Sequence, residues 1–477
     1  MKIIRHRISV LGFILFGITM SQPGCQTTKQ ETTLKQIDST VDSFGKEKQL
    51  TRGPGGRILT NTGVWSPDGK WIVYDTRQID FDGDTIEMVN VETGEVREVY
   101  RSKNGAHCGV VTFHPREEKV IFILGPENPT PDWQYELFHR QGVIVSTAKN
   151  AAAKKVVNLD ACDITPPFTP GALRGGSHVH VWDAAGEWVS FTYEDHLMAQ
   201  FKEASPTNDI NLRNIGVSMP GRAVKVSKDN VRNHDGDYFT ALVTRTKANP
   251  APGSDEIKKA FEEGWVGRNG YLRTDGTRQH RALAFQGHVV TAKGQTIAEV
   301  FVVDLPEDLS QQGDDPLAGT ETRLPAPPKG CVQRRLTFTT GKKFPGIDGP
   351  RHWLRGSPDG SQIAFLMKDD HGIVQLWTVS PNGGSPRQIS RNKSSIASSF
   401  TWSPDGRLLA HSMDNSLCVT DVASGNTRRV TPRTEAATAP RSEACVFSQD
   451  GKQLAYLRPV AEGGKLFNQV FVVSLEN

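Results

Sequence analysis

One strand-turn-strand phrase recurs along this chain, and its recurrence limits the available folds more than any other feature. Its clearest form is Val64-Trp65-Ser66-Pro67-Asp68-Gly69-Lys70-Trp71-Ile72-Val73-Tyr74. Proline presets φ and glycine accepts positive φ, so Ser-Pro-Asp-Gly makes a tight turn between two apolar, alternating strands. The phrase returns as Phe113-His114-Pro115 before Val120-Ile121-Phe122, as Trp182-Asp183-Ala184-Ala185-Gly186 before Trp188-Val189-Ser190-Phe191, and as Ser357-Pro358-Asp359-Gly360 before Ile363-Ala364-Phe365. Two more copies stand at Trp402-Ser403-Pro404-Asp405-Gly406 and Phe447-Ser448-Gln449-Asp450-Gly451. From 357 to 403 to 448 the spacing matches the roughly 40–50 residues of a four-stranded propeller blade. A weaker copy runs from Arg281-Ala282-Leu283-Ala284-Phe285 through Thr291-Ala292-Lys293-Gly294 to Val300-Phe301-Val302-Val303. It brings the count to seven, and the expected fold is an all-β propeller of seven four-stranded blades, with six and eight as the neighbouring alternatives.

Each blade should end on an outer strand such as Arg334-Arg335-Leu336-Thr337, Arg387-Gln388-Ile389-Ser390 or Arg428-Arg429-Val430-Thr431. The last blade lacks one, whereas Lys48-Gln49-Leu50-Thr51 stands unclaimed ahead of the first. The N-terminal strand is therefore expected to complete the C-terminal blade, which hides the edges an open sheet would expose. Three stretches break the rhythm and read as insertions: 200–236, 247–280 and 305–330. Within the second, Ser254-Asp255-Glu256 ahead of Ile257 to Gly264 carries the cap, early acids and terminal glycine of a short helix.

Lys2, Arg5 and Arg7 precede the apolar run Ile8 to Met20, so residues 1–24 read as a signal peptide, with 25–45 a linker and 46–477 the propeller. Gly24 before Cys25 resembles a lipoprotein cleavage site, and Gln26 in place of Asp points to the outer membrane. The protein is thus expected to be exported, to the periplasm or the outer membrane, touching the bilayer only through a lipid on Cys25. Ordinary secretion is the alternative. The chain carries 56 Lys and Arg against 53 Asp and Glu; loss of the three basic residues in 1–24 balances the charge and removes the electrostatic motive for nucleic-acid binding. Cys108, Cys162, Cys331, Cys418 and Cys445 lack CxxC spacing and read as buried small hydrophobes.

Counting back from each turn at a period of two places His178 and His180, His107, Gln286 and His288, and His352 on one parity of four blades' innermost strands. Imidazoles converging from several strands suit a divalent metal, so His178, His180, Gln286, His288 and His352 are the candidate ligands. His107 or His196 is the candidate base, and Arg174 and Arg351 are candidates to hold an acidic substrate. The alternative is a polar channel lining bonded to carbonyls and water. No Gly-x-Ser-x-Gly elbow is present, and Asp80-Phe81-Asp82-Gly83-Asp84 lacks the distal Glu of a calcium loop.

The Ser-Pro-Asp-Gly blades resemble the TolB-type repeat, and the span 46–477 resembles the YidR-like bacterial family of unknown function. The residues carrying this match are Gly105-Ala106-His107, Gly125 to Pro129, Leu173-Arg174-Gly175-Gly176-Ser177-His178-Val179-His180, Glu262 to Gly267 and Pro350-Arg351-His352-Trp353. The chain is more distantly similar to the oligogalacturonate lyases, propellers in which channel histidines and a glutamine hold manganese on the uronate carboxylate. That resemblance implies a manganese-dependent lyase acting on acidic oligosaccharide. The competing expectation is a non-catalytic periplasmic or surface module that binds a protein or glycan through loops at the channel mouth.

Overall fold

The computed structural model describes residues 44–77, 83–149, 155–204, 212–443 and 445–475. The expected signal segment, Cys25 and most of the 80–84 acidic cluster lie outside them. Seven antiparallel sheets form a seven-bladed propeller. The innermost strand of the first blade is reduced to a bridge between Trp65 and Ile72, followed by Trp71–Asp75, Thr85–Asn90 and Val96–Arg101. The second blade is Cys108–Phe113, Lys119–Leu124, Gln141–Ser146 and Val157–Asn158, and the third Gly175–Trp182, Val189–Asp195, Asn214–Met219 and Phe239–Leu242. The fifth and sixth begin at Arg355–Gly356 and Thr401–Trp402.

The turn works as its residues dictate. Ser66 Oγ donates to Asp68 (2.6 Å) and accepts from the Trp71 amide (2.9 Å), while Gly69 sits at φ 69°. The same pattern recurs at Ser357, Ser403 and Ser448. Turn tryptophans then lace neighbouring blades: the indoles of Trp65, Trp265 and Trp402 donate to the carbonyls of Val446, Val181 and Arg355 at 2.9–3.1 Å. These rings pack blade against blade.

Glu47–Gln49 pairs with Lys465–Ser474, so the first strand closes the last blade as expected. Glu47 accepts from Arg458 Nη1 at 2.7 Å and from the Tyr456 hydroxyl, fixing the seam. A chain shortened to begin at Arg52 should lose this lock and expose the 465–474 edge. Expected are a lower Tm by several degrees and concentration-dependent self-association, read by calorimetry and light scattering. An unchanged Tm and a strictly monomeric profile would contradict the closure.

The fourth blade corrects two expectations. Residues 257–265, which lie within the second presumed insertion and overlap most of the helix expected over 254–264, form the innermost strand Ile257–Trp265. Ala282–Val290, expected to be innermost, is the second strand, and Thr291–Gly294 turns into the third. Pairing along 282–290 overrides the helix signal, because tertiary hydrogen bonds and burial of Ile257 and Ala260 outweigh a cap and early acids. The five cysteines expected to be buried are free thiols, four buried and Cys331 partly exposed.

Candidate functional site

Three consecutive innermost strands carry a bulge at one height. The register shifts between Gly109 and Thr112, between His178 and Val181, and between Phe261 and Gly264. Val110, Val179 and Glu262 sit at the bulges with φ of 59°, 63° and 55°, a conformation β-branched residues rarely adopt. The buried Asp75 carboxylate holds the first bulge by accepting from the Val110 amide at 2.7 Å. Each bulged residue lies three positions before the turn residue Phe113, Trp182 or Trp265, and Trp353 holds the same place before Gly356. Val110, Val179 and Trp353 pack in one apolar cluster with Ile123. Residues of the second, third and fifth blades meet only at the axis, so Trp353 plugs the channel there.

The bulges overturn the period-two count. Ser177 and His180 both face the second blade: His180 Nε2 lies 2.9 Å from Ser177 Oγ, which is 3.0 Å from Asp160 Oδ1. His178 pairs with Thr192 and shares its opposite face, where the Thr192 hydroxyl donates to Glu263 at 2.9 Å. Gln286 and His288 sit on a second strand; Gln286 donates to the His352 carbonyl (2.8 Å) and His288 meets the Phe261 ring edge-on. Both His352 nitrogens are engaged by backbone, Nδ1 with the Pro350 carbonyl (2.8 Å) and Nε2 with the Leu366 amide (3.1 Å). Among the described residues no group of three or more His, Cys, Asp or Glu is placed to hold a metal ion. The five expected ligands therefore do not fit one cation, because the inserted residue sends neighbouring side chains to opposite faces and His352 has no lone pair to give.

The expected substrate-handling residues are also dispersed. Arg174 is buried against Asp195 (2.8 Å) and donates to the Thr320 and Arg323 carbonyls, which ties down the 315–326 connection. Arg351 is exposed, paired with Glu262 at 2.7 Å, and lies 4.8 Å from the Trp353 ring. His107 stands near Asp84 (3.4 Å) and the Tyr135 ring. His196, the other candidate base, touches the wall of a cavity through His139.

That cavity, about 480 Å³, lies between the second and third blades on the face opposite the Ser-Pro-Asp-Gly turns. The 125–140 connection frames it. Trp133 stacks on His139 with centroids 3.7 Å apart, and the Arg232 guanidinium lies 5.5 Å from the Trp133 ring while donating to the Glu127 and Asn128 carbonyls. His139 Nε2 is 3.0 Å from His196 Nδ1, with His139 Nδ1 on the Gln134 carbonyl and Gln200 on His196 Nε2. These partners assign Nδ1–H tautomers to both rings, and burial holds both pKa values down at about 4. Arg140 lies 4.9 Å from the Tyr135 ring and lines the cleft.

Two further groups supply proton chemistry. Burial pushes the Asp160 carboxyl up to about 7, against hydrogen bonds from Ser177 and the Gly142 amide that favour its ionised form. Burial holds His234 neutral with a pKa of about 4, and its shielded Nε2 has no protein partner among the described residues. The cleft thus offers an aromatic platform, two arginines, a carboxyl near its titration point and a neutral imidazole. Sequence reasoning passed over Trp133, Arg140, Asp160, Arg232 and His234. The long connection between Leu124 and Gln141 was the available signal, since binding residues concentrate on such loops.

Fold and cleft together define a seven-bladed propeller with a concave site between its second and third blades. A family model described as a protein of unknown function (DUF3748) matches residues 107–234, which contain every residue lining that cleft. Over 426 residues the chain is 49% identical to "Uncharacterized protein YidR" of Escherichia coli (strain K12), spanning 88% of this chain and 96% of that protein. The chain belongs to the YidR family. Among solved structures it is similar to an oligogalacturonate lyase in complex with manganese, at TM-score 0.54 and 12% identity over 92% of this chain and 96% of that one. An oligogalacturonate lyase from Vibrio parahaemolyticus matches at TM-score 0.51 and 11% identity, with the same coverage. At such identities the likeness is one of fold.

Proposed function

We propose that this protein is an exported propeller that binds acidic oligosaccharide in the cleft between its second and third blades and cleaves it by β-elimination. The observation that carries the reading is the convergence, in one cavity of about 480 Å³, of Trp133 stacked on His139 with Arg140, Arg232, Asp160 and His234. Aromatic faces suit pyranose rings and guanidinium groups suit carboxylates. The lyases that share the fold favour elimination over hydrolysis. Arginine neutralises the uronate carboxylate, which acidifies the neighbouring C–H. His234 takes that proton, the glycosidic C–O bond breaks as a carbon–carbon double bond forms, and protonated Asp160 supplies the proton to the leaving oxygen. The donors expected to cage manganese do not converge, so the cleft's own groups carry this chemistry.

The test is calorimetric titration with oligogalacturonides, together with ultraviolet detection of the new double bond. Trp133→Ala and Arg232→Ala should each weaken binding at least tenfold, about 1.4 kcal/mol. His234→Ala should retain binding and lose product. Failure of the wild-type protein to bind any acidic oligosaccharide would end the reading. Binding without product, in wild type as in His234→Ala, would leave the carbohydrate-binding module and remove the enzyme. Export rests on the basic and apolar N-terminal residues, and cell fractionation with Cys25→Ser tests it.

A further inference from the structure

At the turn-side end of the axis the blades enclose a funnel of about 370 Å³. Its collar is aromatic, with Trp65, Phe113, Trp182, Trp265, Trp402 and Phe447 contributed by every blade but the fifth. The fifth places Gly356 there, because a Cβ would stand 2.7 Å from the Trp265 carbonyl oxygen and from the Gly267 amide nitrogen. The missing ring leaves one sector open, and Arg355 is the next residue in that sector.

Arg355 lines the funnel although only 7% exposed. Nη2 donates to the neutral Asn61 amide oxygen across the axis at 2.5 Å, and Nε is buried with no partner among the described residues. Beyond it the Trp353 ring, 5.7 Å from the guanidinium, closes the channel. The nearby carboxyls are Glu262, already paired with Arg351, and Glu263, which burial pushes up to about 7 so that it carries only part of a charge at neutral pH. A guanidinium kept from water without a matched anion is costly, and a bound anion removes that cost. Nε and Nη2 form one edge of the guanidinium, the fork that fits a carboxylate. Two other charged groups line the funnel: Asp183, paired with Arg281 at 3.1 Å, and the exposed Arg268, which donates to the Pro404 carbonyl. The buried Arg355 is thus the cation that an anion entering between the rings meets, and the collar suits one negative charge on an apolar body.

We propose that this funnel is a second binding site, for a small apolar monocarboxylate whose carboxylate pairs with Arg355 and whose hydrocarbon or aromatic body fills the collar. It is independent of the cleft and of the carbohydrate reading. The test titrates the full chain with 3-phenylpropionate, indole-3-acetate and hexanoate, and with 3-phenylpropanol as the neutral counterpart of the first. The acids should bind, with the alcohol at least tenfold weaker. Arg355→Met should weaken the acids at least tenfold, Arg355→Lys should restore part of the loss, and Phe447→Ala should weaken acid and alcohol alike. Should Arg355→Met fail to fold, the acid–alcohol comparison on wild-type protein decides alone. Equal affinity for acid and alcohol, no binding of any acid at millimolar concentration, or a folded Arg355→Met protein with undiminished acid affinity would each overturn the site.

Discussion

Replacing Arg174 with alanine is expected to destabilise the native ring by about 3–5 kcal/mol, the range for removing one half of a buried ion pair. Arg174 and Asp195 are 1% and 0% exposed in their side chains, and no water replaces the lost partner without opening the blade. Asp195 also accepts from the Tyr193 hydroxyl (3.0 Å) and, as the cap of the helix His196–Ala204, from the Met198 amide (3.0 Å). Its carboxylate would keep these two donors and lose the buried guanidinium. The same substitution unties the carbonyls of Thr320 and Arg323 from the third blade. Urea unfolding measures the loss, and Arg174→Ala/Asp195→Asn should recover part of it, because the double variant also removes the buried carboxylate charge that faced the guanidinium. A single variant within about 0.5 kcal/mol of wild type, the range of ordinary surface changes, would show that the pair contributes little. Such a role makes Arg174 a structural latch, not the substrate-binding group that its place near the histidines suggested.

Stability should fall steeply as the pH drops from about 6.5 to about 4.5, by on the order of 10 kcal/mol in total. Burial holds His139, His196, His234, His352 and His411 at pKa values of about 4, His180 at about 3, and His178 well below its usual value. In the unfolded chain the same imidazoles titrate near 6.5, so below that pH the unfolded state binds protons that the native state refuses. Each contributes a loss on the order of 1 kcal/mol per pH unit until its native pKa is reached. Asp160 and Glu263 act in the opposite sense. Raised to about 7, they keep protons in the native state that the unfolded chain releases above about pH 4, and their contribution grows toward acid. Seven groups oppose two, and the net slope is a loss on acidification. Tm and urea midpoints at pH 7.5, 6.0 and 4.5 measure it, and a flat or rising profile would show that these rings are not held neutral.

Much of the architecture was legible in the residues. Six of the seven blades announce themselves through local turn chemistry, since Ser, Pro, Asp and Gly act on backbone within four residues of themselves. The fourth blade hides because its turn reads Trp265-Val266-Gly267 and the chain then makes an excursion, including a small hairpin at Tyr271–Leu272 and Arg278–Gln279, before returning as its second strand. The phrase at 281–294 consequently looked like an innermost strand and its turn. The candidate site was far less legible. His178 and His180 read as neighbours on one face, and a bulge at Val179 separates them. A valine at φ 63° leaves no mark in sequence, being a residue type that disfavours that conformation.

His196 illustrates the boundary between the two kinds of information. Its identity suggested acid–base work, but its neighbour His139 and the Trp133 platform come from a connection in a different blade. The amino-acid sequence alone determined the ring: the recurring turns, the alternation of the strands and the unpaired first strand all encode contacts through local backbone preference and period. Which side chains share a cavity was decided only in the folded molecule. One extra residue in a strand reverses the direction of those beyond it, and that insertion is fixed by pairing with distant partners.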